Sequence, residues 1–229
     1  ARNRGLAEST GNVVAFTDSD CAPDPGWVEA IAAAFAPDPA LVGLEGPTYT
    51  SPPARSPFDH FQDLPEGGFW ATCNVAYRRA PLVDLGGFDP RFPYGHEDTE
   101  LAIRARRLGP LRFEPAMRVN HPPVRRAFGR VVRTWRHWID DVVLYECQPD
   151  AFRSGLGGHS LLYAIFVERG VLGAFRDLRK KARFLRTAPG AFLAYAAAIA
   201  VSRVRLLLAA PHIVARTREA VRHSSGSRS

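Results

Sequence analysis

Asp18 and Asp20 stand one residue apart, directly after the apolar run at 13–17. Two carboxylates at the end of a strand make a hard oxygen site, suited to Mg2+ or Mn2+ held jointly with substrate phosphates. In open α/β sheets, ligands collect at the carboxyl ends of strands. The same residues beside Pro23-Asp24-Pro25 also fit ordinary turn chemistry, and the triplet taken alone favours the turn. A second acidic pair, Glu97-Asp98, follows a glycine-containing loop and opens a helix. It either stabilises the helix N-terminus or supplies a general base that takes the proton of an attacking hydroxyl. His121 follows an apolar stretch and fits a third metal ligand as a neutral imidazole, or an ordinary loop histidine. Arg2 suits a phosphate or nucleotide, or an exposed helix face. Trp70 presents a flat face for a sugar ring, or packs into the core beside Phe69.

The elements that must position these groups follow from local pattern. Residues 2–10 end a short helix stopped at Gly11. The run 13–17 reads as a buried strand. Asp24 is expected to cap a helix with Pro25 at its first position, running through Trp27, Ile31 and Phe35. Residues 41–45 form the next strand. Residues 46–68 are rich in Pro, Gly and Ser and read as a long loop. Residues 69–77 are extended, and 81–85 form a short helix closed by Gly86-Gly87. The helix opened by Glu97-Asp98 carries Leu101, Ala105 and Leu108 on one face and ends at Gly109-Pro110. Residues 111–113 and 117–119 are strands leading to His121. Beyond Pro122-Pro123 the pattern turns helical: an amphipathic helix over 124–147, a glycine-rich break at 154–158, and helices over 160–186 and 190–220. Ser224 to Ser229 should fray.

The 229 residues contain 46% hydrophobic and 23% charged residues, which excludes a disordered chain. The three cysteines, Cys21, Cys73 and Cys147, form no CxxC pair, and their odd number argues against a closed disulfide framework. They read as reduced thiols of a cytoplasmic protein. The net charge of +7 is uneven: residues 1–122 hold 11 Lys and Arg against 16 Asp and Glu, a net of −5, and residues 123–229 hold 19 against 7, a net of +12. The motif-bearing part is therefore acidic, which argues against nucleic acid as a partner. The basic helical tail suits an anionic membrane surface, placing the protein peripherally on the inner face of the cell membrane. The segment 188–202 is nearly all apolar but is ended by Arg203 and Arg205, short of the roughly 20 residues a spanning helix needs. Helix packing is favoured over membrane contact for it.

Taken in order, these pieces resemble a known family. Ala1-Arg2-Asn3-Arg4-Gly5, the strand ending in Asp18-Ser19-Asp20, and Pro25-Gly26-Trp27 resemble the middle of a family 2 glycosyltransferase. Cys73-Asn74-Val75-Ala76-Tyr77-Arg78-Arg79, Gly86-Gly87-Phe88-Asp89 and Gly95-His96-Glu97-Asp98-Thr99-Glu100-Leu101 resemble that family's acceptor side. The resemblance covers about residues 1–122. It implies an α/β GT-A (Rossmann-like) core, a nucleotide-diphosphate sugar donor and inversion at the anomeric carbon. It implies Asp20, assisted by Asp18, as the metal site, and Asp98 as base with Glu97 beside it. It places His121 near the metal or phosphates, Arg2 near the nucleotide, and Trp70, Asn74 and His96 on the acceptor side. The family's first strands, with their nucleotide-binding loop, normally precede the Ala-Arg-Asn segment. The resemblance thus implies an N-terminally incomplete core over 1–122, followed by a basic α-helical extension over 123–229.

Two classes of function follow. The first is sugar transfer to a hydroxyl acceptor, which uses one acidic motif at each end of the reaction. The second is a non-catalytic, membrane-associated module with a degenerate transferase core. A metal-dependent nucleotidyl or phosphate hydrolase shares the acidic site but leaves the pattern from Asn74 to Asp98 unexplained.

Overall fold

The computed structural model describes residues 1–155 and 160–226. Its helices are α1 (Arg2–Glu8), α2 (Trp27–Phe35), α3 (Arg79–Asp84), α4 (Glu97–Ala105), α5 (Phe128–Val132), α6 (His137–Cys147), α7 (Pro149–Gly155), α8 (Leu161–Tyr163), α9 (Gly173–Lys181), α10 (Phe184–Thr187) and α11 (Pro189–Gly226). Its strands are β1 (Val13–Phe16), β2 (Ala22–Pro23), β3 (Gly43–Glu45), β4 (Thr48–Tyr49), β5 (Asp59–His60), β6 (Val75–Arg78), β7 (Leu111–Phe113), β8 (Val119–Asn120) and β9 (Val124–Arg125). The chain groups into two compact units. One holds residues 1–54, 61–90 and 97–124; the other holds 55–60, 91–96 and 125–229.

The first unit is α/β. Its main sheet runs β1-β6-β3-β7, with β6 antiparallel to both β1 and β3, and β7 parallel to β3. Leu6, Val42, Val75, Tyr77, Leu82, Phe88 and Leu101 pack together in one cluster, and Ile31, Phe35, Leu41, Leu44 and Met117 in another. A smaller sheet, β2-β8-β4, brings the segment after Asp20 beside the segment before His121. The glycine turn before Asp89 is fixed by Asn3. Its amide donates to Phe88 O and accepts from Phe88 N, each at 2.8 Å. Gly87 has φ +68, and a Cβ there would sit 2.6 Å from Asn3 Oδ1, so both conformation and space require glycine.

Several expectations are corrected. β1 is an edge strand and only half buried, because one of its sides has no ladder partner among the described residues. α2 begins at Trp27 because Gly26 takes a left-handed conformation, φ +86. Asp24 therefore does not cap it with its side chain; its carboxylate accepts from Tyr49 and Arg118 instead. Residues 46–68 are not featureless: they supply β4 and β5. Of the extended stretch 69–77, only β6 is strand.

The second unit is largely helical, so the α/β core and helical C-terminal extension expected from the sequence are both present. The single helix expected over 124–147 is broken. Val124–Arg125 is drawn into a two-stranded ribbon with β5, and Arg133–Arg136 tightens into a 3-10 turn between α5 and α6. A π-helical stretch, Ala164–Leu172, interrupts the next predicted helix. The glycine-rich break at 154–158 and the fray at the C-terminus fall partly on 156–159 and 227–229, outside the described residues. α11 continues through Arg203 and Arg205. Tyr195, Ala198, Ile199, Ser202, Leu206 and Ala210 form its buried stripe, and Val131 and Val132 of α5 pack on it. Arg203 is accommodated within it by Asp177 at 3.0 Å and by stacking over Trp138. The opposite stripe leaves Leu193, Val201, Val204, Leu207 and Leu208 exposed.

Candidate functional site

Both acidic motifs lie in the first unit, and one arginine joins them. Arg2, at the start of α1, donates through Nη1 to Glu97 Oε1 at 2.6 Å and through Nη2 to the buried Thr72 hydroxyl at 2.7 Å. The same Nη2 lies 3.9 Å from Asp18 Oδ1. A guanidinium can serve several oxygens at once because its five N–H groups fan out in a plane. Arg2 therefore sits between the two motifs, where the sequence alone suggested only a nucleotide contact.

Glu97, Asp98 and Glu100 fill the first turn of α4, where the helix dipole favours negative charge. Glu100 is buried and used structurally. Arg104 grips it through Nε and Nη2 at 2.7–2.9 Å and spends its remaining donors on Leu85 O and Gly87 O. Asp98 is differently placed. Its Oδ1 accepts from the Thr99 backbone N–H at 2.7 Å, and its Oδ2 from the Thr72 N–H at 3.4 Å. It is half buried. Backbone N–H groups thus orient this carboxylate, and orientation is one thing a general base requires.

The Asp-x-Asp motif is part of a larger cluster. One ligand atom each from Asp18, Asp20, Cys21 and His121 lies within 4.8 Å of all the others. Opposite ligands around a single cation with bonds of about 2.0–2.3 Å are up to about 4.6 Å apart, so the set is close to the size that one ion would gather. His121 is 4% exposed. Its Nδ1 lies 3.1 Å from Pro122 O and its backbone N–H donates to Tyr49 O. An Nδ1–H held by a carbonyl sets the tautomer in which Nε2 carries the lone pair. Cys21 is a member the sequence reading did not single out. Burial, then the Cys73 thiol and the Asp18 carboxylate, push its thiol up to about 11.

Three expected acceptor-side residues have contacts of their own. Asn74 is buried, and its amide is committed: Nδ2 donates to Met117 O at 2.7 Å and Pro47 O at 3.0 Å, and Oδ1 accepts from Trp27 Nε1 at 2.9 Å. It ties loops together beneath the site. Trp70 is 5% exposed and packs against Tyr77 in the core, so its ring face is not open to a sugar. His96 belongs to the second unit, where Nε2 lies 3.2 Å from Asp141 Oδ1 on α6 and φ is +64. The neighbouring Tyr94 N–H donates to Asp140, so the loop 91–96 is anchored on that helix.

Glu45 also escaped sequence reading. This buried carboxylate accepts from the backbone N–H groups of Gly68, Phe69 and Trp70. The signal available was an acidic residue ending an apolar strand, which by itself does not reveal which distant loop it holds.

Parts of the chain are similar to known proteins. Residues 1–80 match the family model described as glycosyl transferase family 2. A pre-mycofactocin glycosyltransferase of Mycobacterium tuberculosis H37Rv is 34% identical over 138 residues, which cover 53% of this chain and 29% of that protein. A glucosyl-dolichyl phosphate glucuronosyltransferase of Haloferax volcanii is 24% identical over 108 residues, covering 39% of this chain and 33% of the relative. The chain thus spans about a third of the length of these relatives. A mannosyltransferase of Pyrobaculum calidifontis, solved in complex with GDP-Man and Mn2+, superposes with a TM-score of 0.47 at 18% identity, covering 90% of this chain and 65% of that one. Residues 1–80 are thus similar to glycosyl transferase family 2, and the similarity to the mycobacterial relative extends over 138 residues.

Proposed function

We propose that this chain carries metal and acceptor residues of an inverting glycosyltransferase, which moves a sugar from a nucleotide-diphosphate donor to a hydroxyl acceptor. The observation that carries this reading is Arg2, whose guanidinium joins Glu97 at 2.6 Å to Asp18 at 3.9 Å. It makes one site of two motifs that are separately unremarkable. Asp18, Asp20 and His121 are assigned to a divalent cation, Mg2+ or Mn2+. When bound, such an ion supplies positive charge against a diphosphate leaving group. Asp98 is assigned to take the proton of the attacking hydroxyl. Glu97 keeps Arg2 in place beside it, and Arg2 offers positive charge toward the donor's phosphates once they arrive. Transfer with inversion needs a base on one side of the sugar and charge stabilisation on the other, and Asp98 and the Asp18–Asp20 pair provide this division.

The test is turnover of nucleotide-sugars by the intact enzyme with and without added Mg2+ or Mn2+. Transfer should stop on chelation, return with the cation, and fall by about 10²-fold or more in Asp20→Ala, with an unchanged melting profile. Full activity in chelator would sink the metal assignment. Donor binding without turnover would favour the alternative, a non-catalytic module.

A second part of the proposal concerns the basic extension. α11 holds a stretch, Pro189–Glu219, long and apolar enough to cross a membrane by length and composition. Leu193, Val201, Val204, Leu207 and Leu208 are exposed along it, and residues 123–229 carry a net charge of +12. An apolar stripe in a basic unit suits the interface of an anionic bilayer. The protein should co-sediment with vesicles containing phosphatidylserine and be released by salt. Leu207→Glu with Leu208→Glu should abolish co-sedimentation without loss of helicity. Equal binding to neutral vesicles would remove the electrostatic part of this assignment.

A further inference from the structure

Cys21 has no part in the function above, yet the backbone delivers it to the cation site. β2 pairs with β8 antiparallel in the register Ala22 with Asn120 and Pro23 with Val119. One more step along the same register sets Cys21 opposite His121. Residues directly opposite in an antiparallel pair point to the same face, with Cβ atoms about 4.5–5.5 Å apart. The turn that positions the carboxylates also fixes the cysteine, because the Cys21 N–H donates to Asp18 O at 3.0 Å. As a result Cys21 Sγ joins the Asp18, Asp20 and His121 ligand atoms within the 4.8 Å span. Cys73, by contrast, is outside that cluster. Its sulfur is engaged by Thr48 Oγ1 at 3.6 Å and Gln62 Oε1 at 3.3 Å.

We propose that Cys21 is a fourth protein ligand of this cation, and that the site prefers borderline transition ions of the Zn2+, Co2+ and Mn2+ class over Mg2+. This rests on the assignment of Asp18, Asp20 and His121 to a metal. Mg2+ demands near-ideal octahedral oxygen coordination and is reluctant to lose its waters. One imidazole and one sulfur among four ligands move the set toward softer ions, and the general order of divalent affinities places Zn2+ and Co2+ above Mn2+. Binding forms a sulfur–metal bond, and the thiol proton leaves to solvent. The site would thus bind Zn2+ and Co2+ tightest, Mn2+ next and Mg2+ weakest.

Titration of the 229-residue chain with Co2+, followed by absorption, tests this directly. The expected result is a sulfur-to-cobalt charge-transfer band in the near ultraviolet. The band should persist in Cys73→Ser with Cys147→Ser and vanish in Cys21→Ser. Calorimetry should show Zn2+ affinity falling by about tenfold or more in Cys21→Ser, since loss of even a supporting partner of a ligand costs about 10–100-fold. Mg2+ affinity should stay unchanged, which also reports that the variant is folded. Cobalt binding without the band, a band that survives in Cys21→Ser, or unchanged Zn2+ affinity in that variant while Asp20→Ala loses it, would each overturn the thiolate ligand and leave the carboxylate site standing. Equal cobalt affinity in native protein, Asp20→Ala and His121→Ala would instead overturn the metal assignment itself.

Discussion

Replacing Asp98 by Asn is expected to lower sugar transfer by about 10²–10⁴-fold, the range that a positioned general base contributes, while leaving the fold intact. The substitution is isosteric. The Thr99 N–H at 2.7 Å can still find the amide oxygen, and the amide NH2 then faces the Thr72 N–H, which approaches at 3.4 Å. What the amide cannot do is accept a proton from the acceptor hydroxyl. The loss should therefore appear in kcat at saturating donor, with little change in donor KM or melting temperature. Glu97→Gln is a useful contrast. It weakens the 2.6 Å ion pair to Arg2 and so acts through the arginine, predicting a larger effect on donor KM than Asp98→Asn. Near-native kcat in Asp98→Asn would remove the base assignment, whatever happens to Glu97.

The parts of this site that were legible in sequence are those encoded within a few residues. An apolar run followed by Asp18-Ser19-Asp20 gave the strand and the carboxylates after it. Glu97-Asp98 ahead of Leu101 and Ala105 gave a helix start. What escaped depends on pairing across the chain. Cys21 becomes a candidate ligand only through the β2–β8 register. Arg2 becomes a bridge only once α1 and α4 lie close enough for its guanidinium to reach Glu97. Asn74 was expected on the acceptor side from the family resemblance, and Trp70 because a flat ring face suits a sugar. Burial instead assigned them to holding loops and filling the core. The same limit explains the tail. An amphipathic period over 124–147 fits a helix, but it cannot report that Val124–Arg125 pairs with β5. Along α11, Arg203 reads as an end to an apolar run until Asp177 and Trp138 are seen to receive it.

Glu45→Ala is the largest stability effect expected in the first unit, a loss of about 3 kcal/mol. Glu45 is 5% exposed, at the end of β3, where it pairs with Val75 and Phe113. Its carboxylate collects three successive N–H groups, from Gly68, Phe69 and Trp70, the last two at 3.1 and 2.8 Å. Such a cradle is needed because the loop is conformationally costly. Gly68 has φ +109 and Trp70 has φ +54, and a bulky residue in the left-handed region costs of order 1–2 kcal/mol. Without the acceptor, the buried Trp70 N–H loses about 1–3 kcal/mol, and the part-buried Gly68 and Phe69 N–H groups add smaller losses. Water reaching the exposed Phe69 end, together with relief of the burial cost of the charge, limits the net to about 3 kcal/mol. Glu45→Gln keeps one acceptor oxygen but turns an NH2 toward the remaining donors, so its loss should be nearly as large. Denaturant unfolding followed by tryptophan fluorescence measures both variants, and a change in Glu45→Ala below about 0.5 kcal/mol, the range of ordinary surface substitutions, would refute the cradle. The effect should also reach the chemistry. Two residues past Trp70, Thr72 accepts from Arg2 at 2.7 Å and offers its N–H to Asp98. Loosening 68–70 therefore releases Arg2 and Asp98 together, and the surviving folded fraction of Glu45→Ala should show reduced kcat even at temperatures where it does not unfold.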